Sequence, residues 1–158
     1  MLIISHRGNL ENRNLQRENL PAAIKKAISL GFDVEIDIFK IGKQLWLGHD
    51  GPKYKISEKF LFNYSDKLYI HCKSLNALEY LQKFPELNIF WHNLDEHVFT
   101  SKGNLITHIN QKKTTKNGIL VLGRKPNNLN LPLNCYGVIT DWPILIKYIY
   151  EEIHRKIC

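Results

Sequence analysis

The sequence predicts an α/β fold organised on a parallel sheet, either a barrel or an open layer. Three observations carry this reading. Short apolar runs alternate with segments of helical periodicity, the order of elements that leads to parallel pairing. Phe32 to Phe39 alternates strictly, with Val34, Ile36 and Ile38 on one face and Asp33, Glu35 and Asp37 on the other. His6, Glu35, Asp37, His71, Lys73 and His92 recur at or near the C-terminal ends of expected strands. That end of the sheet carries the active site in (β/α)8 enzymes.

The elements follow in chain order. Leu2 to Ser5 is a short apolar strand that delivers His6 and Arg7 at its end. Asn9 to Arg17 is polar and rich in Asn and Arg, a loop above the active face. Pro21 to Leu30 has helical spacing, with proline suited to the first turn and Gly31 to the stop. Gly42-Lys43 turns the chain between the Phe32–Phe39 strand and Leu45-Trp46-Leu47, which delivers His49 and Asp50. Ser57 to Tyr64 reads as a short helix and Leu68 to Lys73 as a strand. Ser74 caps a helix that runs to about Phe84, before Pro85. Asn88 to His92, Asn104 to His108, Gly118 to Leu122 and Tyr136 to Thr140 are further strands. Pro126 to Pro132 is a loop, and Asp141 and Pro143 open a last helix with a broad apolar stripe.

Composition bounds the classes. The 158 residues suit one domain, 1–158, with enough chain for a core. An eight-unit barrel typically takes about 250 residues, so in a barrel of this length several helices must be missing or replaced by short links. The window Asn93 to Leu133 holds no helix-length pattern, which puts the loss in the second half. No apolar run approaches the roughly 20 residues of a membrane span, and Met1 to Ile4 is too short for a signal peptide. Three cysteines, Cys72, Cys135 and Cys158, do not make an even disulfide framework, so a reducing, cytoplasmic setting is expected. Cys72 is expected on the outer face as core filler. The net charge of +7 favours anionic partners: nucleic acid, phosphorylated metabolites or lipid headgroups. Nucleic acid is disfavoured. Lys and Arg are scattered, dense only at Lys112-Lys113 with Lys116 and at Arg124-Lys125, and no nucleic-acid-binding motif is present.

The polar groups of the first third fit cleavage of a phosphate diester. His6 and His49 can exchange protons near neutral pH. Arg7 can grip phosphate oxygens by parallel hydrogen bonds, or hold carboxylates in place. Glu35 and Asp37, two positions apart on a strand, point to one side and can share a divalent cation, or form a salt-bridge pair with Arg7 and Lys73. Glu18 either reaches the metal site or favours the next helix electrostatically. Trp91, His92 and Asp95 read as a core tryptophan with a surface histidine, or as an active-site rim. His97, His108 and His154 show no partner pattern and are expected on the surface.

His6-Arg7-Gly8, Glu18-Asn19, Gly31 to Asp37 and Gly48-His49-Asp50, in that order, resemble the glycerophosphodiester phosphodiesterase family. Tyr136 to Pro143 resembles the last barrel strand and the start of the last helix of that family. The resemblance implies a phospholipase-C-like variant of the (β/α)8 barrel, a divalent metal and a small-molecule phosphodiester substrate. It implies His6 and His49 as general acid and base, Arg7 and Lys73 as substrate-binding residues, and Glu35 and Asp37 as metal ligands. The chain departs at His71-Cys72-Lys73, where the family has Glu-x-Lys. His71 points the same way as Lys73 and replaces the third acid. A neutral imidazole lowers affinity for Mg²⁺ or Ca²⁺ and leaves Mn²⁺ or Zn²⁺ better tolerated. The same departure opens an alternative, a barrel that keeps phosphate affinity but has lost turnover.

Overall fold

The computed structural model describes residues 1–108, 114–127 and 134–157. Lys112-Lys113, Cys158 and most of the expected Pro126–Pro132 loop lie outside the described residues. The elements are β1 (Leu2–His6), α1 (Pro21–Ser29), β2 (Asp33–Ile41), β3 (Gln44–Leu47), β4 (Tyr54–Ile56), α2 (Glu58–Asn63) and β5 (Leu68–Cys72). They continue with α3 (Leu75–Leu81), β6 (Asn88–Phe90), β7 (His97–Phe99), β8 (Leu105–Thr107), β9 (Gly118–Leu122), β10 (Gly137–Thr140) and α4 (Pro143–Ile157).

One sheet unites the strands. Its parallel run is β6-β5-β2-β1-β10-β9-β8. The register sets His6 beside Glu35 and Asp37 beside His71. Two strands missed in the sequence, β4 and β7, join as antiparallel additions. Both are only three residues long, too short for a period-2 pattern to emerge. β3 is antiparallel too. It folds back on the last residues of β2, pairing Ile38 with Leu47, and returns the chain toward His49.

The sheet curls. Ile4, Tyr69, Phe90, Ile106, Ile119 and Ile139, from β1, β5, β6, β8, β9 and β10, form one cluster, so both ends of the run face a common interior. Among the described residues no ladder joins β6 to β8, so the sheet is a curled partial barrel and not a closed eight-unit one. The seam is bridged by the turn after β7. Ser101 N–H donates to Ile89 O at 2.7 Å, Ile89 N–H donates to Ser101 Oγ at 3.0 Å, and Ser101 Oγ donates to Leu87 O at 3.1 Å.

Both faces of β2 are buried, which explains its alternation. Val34, Ile36 and Ile38 are fully buried against Ile24 and Ala27 of α1, Ile70 and Cys72 of β5, and Ala77 and Leu81 of α3. Each such side chain contributes about 1.5–3 kcal/mol relative to exposure. Cys72 is core filler, its thiol pushed up to about 12 by burial. Val138, Ile146 and Ile149 make the equivalent contact under α4. Local signals act as read. Pro21 opens α1, and Ser74 Oγ caps α3 by accepting the Ala77 N–H at 3.2 Å. Between Asn93 and Leu133 the described residues contain no helix. No described helix is long and apolar enough to cross a membrane.

Candidate active site

The C-terminal ends of the parallel strands surround a cavity of about 300 Å³. His6, Arg7, Glu35, His49, His71 and Lys73 line it, facing an inner floor that includes Phe90, Ile106 and Ile139. Asp37 is fully buried just behind this lining. His6, Arg7, Glu35, Asp37, His71 and Lys73 therefore reach one region with His49, which comes from a turn after an antiparallel strand, whereas Asp95 is exposed outside the cavity lining. Gly48 makes that turn possible: a Cβ there would collide with Gly51 O. Gly8, at φ 81°, serves the other histidine. A Cβ would stand 3.0 Å from Ile24 N, so only glycine lets α1 pack this close behind His6-Arg7.

The two histidines differ electrically. His6 Nδ1 donates to Asp141 Oδ1 at 2.9 Å, and its Nε2 lies 3.8 Å from Glu35 Oε2. Burial opposes its charge, but the Asp141 hydrogen bond and the Glu35 charge outweigh burial, and its pKa is raised. Asn9 Nδ2 donates to the same Asp141 oxygen at 2.8 Å, which fixes the acid. Burial pushes Asp141 up, but His6 and Asn9 hold it below the ordinary range. His49 hydrogen-bonds Asp50, whose side chain is exposed. Burial and the Arg7 charge lower its pKa.

Arg7 is tied to carboxylates. Its Nη1 donates to Glu18 Oε2 at 2.9 Å, and its Nε stands 2.9 Å from Asp37 Oδ2, an ion pair off the line of a hydrogen bond. Of the two readings of Glu18, neither the metal site nor the helix is its contact: it pairs with Arg7 and with Arg13. Asn19, at φ 60°, donates to Asp37 Oδ2 and accepts the Asp37 N–H, both at 2.9 Å.

Glu35, Asp37 and His71 each offer a ligand atom within 4.8 Å of the others. Burial, then the neighbouring Asp37 charge, raise the pKa of Glu35. Burial works the same way on Asp37, but hydrogen bonds and charge from His71, Arg7 and Asn19 hold it well below the carboxylate range. Glu35 Oε2 and His71 Nε2 are buried without a hydrogen-bond partner. Two open donors of this kind, one oxygen and one imidazole nitrogen, fit a divalent cation.

The wall beyond His71 is a stack of flat rings. His71 lies on Phe90 at 4.9 Å and on His92 at 4.4 Å, both nearly parallel, and His108 meets His92 edge-on at 6.0 Å. His92 is thus at the cavity rim, while Trp91 packs on the outer core. Burial and the adjoining His71 lower the His92 pKa to about 4, so it is neutral at ordinary pH. The expectation for His108 is corrected, since it lines the cavity; strand β8 ends one residue before it and aims the chain inward. His97 and His154 are exposed, as expected.

The sequence matches no protein-family model and no curated protein. Solved structures do match. A protein from Silicibacter pomeroyi DSS-3 assigned as a glycerophosphoryl diester phosphodiesterase superposes with a TM-score of 0.57 at 9% identity, over 98% of this chain and 94% of that one. One from Galdieria sulphuraria assigned as a glycerophosphodiester phosphodiesterase gives 0.54 at 11%, over 94% and 97%. This chain shares their fold. The likeness spans nearly its whole length, including the middle segment where the sequence carries no recognisable motif.

Sequence reasoning missed Asp141 and Asn9 as partners of His6. Asp141 reads as a helix-opening residue, and its 135-residue separation from His6 hides the pair. A polar residue directly after an apolar terminal strand, Asp141 after Gly137–Thr140, was the available signal.

Proposed function

We propose that this chain cleaves phosphodiesters of the glycerophosphodiester type, using His6 and His49 for proton transfer. The observation that carries the reading is the meeting of both histidines with Arg7, Lys73 and the Glu35–Asp37–His71 cluster on one cavity. The substrate phosphoryl group sits among these residues. Lys73 faces it as a point charge, and Arg7 keeps Nη2 for it while Nη1 and Nε serve Glu18 and Asp37. A divalent cation on the Glu35–Asp37–His71 side would add charge stabilisation at the phosphoryl oxygens.

Burial and the Arg7 charge favour the neutral form of His49, while Asp141 and Glu35 favour the proton on His6. His49 is then placed to accept the proton of the attacking hydroxyl, and His6 to give one to the departing alkoxide. The attacking group is water or a neighbouring hydroxyl of the substrate. In the second case the product is a cyclic phosphate. The fold is read as a shortened phospholipase-C-like (β/α)8 barrel, and the buried thiol of Cys72 suits a cytoplasmic protein.

A second reading, phosphate binding without turnover, draws on Arg7. Its guanidinium is already engaged by two carboxylates, and His71 stands where the family carries an acid. One experiment separates the two. Turnover of glycerophosphodiesters and of a bis-aryl phosphodiester is measured with Mg²⁺, Ca²⁺, Mn²⁺ and Zn²⁺, beside phosphate binding by calorimetry. Metal-stimulated hydrolysis lost in His6→Ala and His49→Ala supports the enzyme. Phosphate binding with no turnover under any metal supports the binder.

A further inference from the structure

We propose that the cation site is anchored on imidazole: Glu35 Oε2 and His71 Nε2 bind a nitrogen-accepting divalent cation of the Mn²⁺ to Zn²⁺ class, and Asp37 orients His71 instead of acting as a ligand. The inference deepens the phosphodiesterase reading and rests on it for the location of the site, but its test does not depend on turnover.

What each donor has left to give decides its role. Asp37 has little. Its Oδ1 accepts from His71 Nδ1 at 3.1 Å, and its Oδ2 accepts from Asn19 and faces Arg7 Nε. Each oxygen is committed to a protein donor, with Arg7 balancing the charge. The opposite holds for Glu35 and His71. Glu35 Oε2 and His71 Nε2 are both buried and neither makes a hydrogen bond; the nearest basic group to Glu35 Oε2 is His6 Nε2 at 3.8 Å. With Nδ1–H given to Asp37, the Nε2 of His71 carries the lone pair, the tautomer a metal requires. Carboxylate to imidazole to metal is a recognised way to fix a histidine ligand and raise its basicity.

The ring is also held mechanically. Phe90 and His92 lie parallel to His71, from neighbouring positions on β6 and just beyond it. Rotation of His71 about χ2 would break both stacks and the Asp37 bond. A ligand fixed in this way favours cations that gain from a nitrogen donor. Mg²⁺ and Ca²⁺ prefer oxygen and gain little from it. With Glu35 Oε2 and His71 Nε2 as the protein ligands, the remaining positions would fall to water and to phosphate oxygens, so cation and phosphate should bind more tightly together than apart.

Pulsed electron paramagnetic resonance on the full chain loaded with Mn²⁺, with and without inorganic phosphate, tests this directly. The expected result is ¹⁴N modulation from one imidazole, retained in His92→Phe and lost in His71→Glu. Calorimetry with Mn²⁺ and Mg²⁺ should show the Mn²⁺ preference fall at least about tenfold in His71→Glu. Asp37→Asn should weaken Mn²⁺ about 10–100-fold while the nitrogen signal persists. Phosphate should strengthen Mn²⁺ binding. Bound Mn²⁺ without imidazole coupling in the unaltered chain overturns the proposal, as does a metal preference unchanged by His71→Glu. A site with the nitrogen signal but no hydrolysis under any metal overturns the phosphodiesterase reading and leaves this one standing. Hydrolysis in a chain whose Mn²⁺ shows no nitrogen does the reverse.

Discussion

Asp141→Asn isolates one charge beside a histidine. Asp141 Oδ1 accepts from His6 Nδ1 at 2.9 Å and from Asn9 Nδ2 at 2.8 Å. Both donors converge on one oxygen, so an asparagine with its carbonyl in that position keeps both hydrogen bonds and removes only the charge. A hydrogen bond to a charged group is worth about 1.5–3 kcal/mol and a neutral one about 0.5–1.5. The difference, about 1–1.5 kcal/mol, corresponds to roughly a tenfold fall in kcat/KM if His6 is charged during the rate-limiting step. Should the amide instead turn its NH₂ toward His6, the wrong tautomer is selected and the loss can reach about 10⁴-fold. In either case the pKa of His6 falls, because Asp141 is among the groups that raise it. The assay is kcat/KM against pH for a bis-aryl phosphodiester, on unaltered and variant protein of matched Tm. The limb assigned to His6 should move to lower pH. An unchanged rate and an unmoved limb would refute the idea that Asp141 sets the protonation of His6.

His6→Ala and His49→Ala should each lower turnover about 10²–10⁴-fold, with His49→Ala leaving Tm within a degree or two because the ring is partly exposed; a large loss of Tm there would recast it as structural. In chelator-treated protein, Glu35→Gln should raise Tm, since it neutralises a buried carboxylate with an oxygen that makes no hydrogen bond, by about 1–3 kcal/mol, or roughly 2–4 °C per kcal/mol at this size; a lower Tm would show that His6, 3.8 Å away, already compensates the charge. Urea unfolding followed across pH should pass through a maximum. The raised pKa of His6 gives stability that is full below the ordinary histidine range and is lost as pH rises through its folded value. The lowered values of Asp37 and Asp141 give stability present above the ordinary aspartate range and lost as pH falls through their folded values. Stability that only rises or only falls between these ranges would contradict the assignment.

The parts legible in the sequence are those whose signal is local. The β2 alternation marks both an outer core face and an inner acidic face, because side chains on a strand separate by parity alone. Pro21, Gly31 and Ser74 mark helix ends through backbone chemistry that needs no distant partner. What was hidden depends on long-range approach. Asp141 becomes a partner of His6 only because β10 lies parallel to β1. His108 reaches the cavity only because β8 follows β9 in the curled run. Arg7 illustrates a different limit. The sequence admits both phosphate and carboxylates as its partner, and only the positions of Glu18 and Asp37 reveal how much of the guanidinium is already spoken for.

The seam at β6 has a consequence for how such a fold tolerates loss of chain. On the side facing away from β5, the peptide groups around Ile89 would ordinarily need another strand. Here a single serine answers them, its N–H, its hydroxyl hydrogen and its hydroxyl oxygen each meeting one backbone group of Leu87 or Ile89. A whole strand has been compressed into one residue at the crest of a hairpin. Its three bonds stitch this side of the curled sheet together with Asn88 Nδ2, which donates to Asn104 Oδ1 at 3.2 Å, and Lys102 Nζ, which donates to Glu86 O at 2.8 Å. Removing the Ser101 hydroxyl would take away two of these bonds and loosen the free edge of β6, the strand that carries Phe90 of the ring stack.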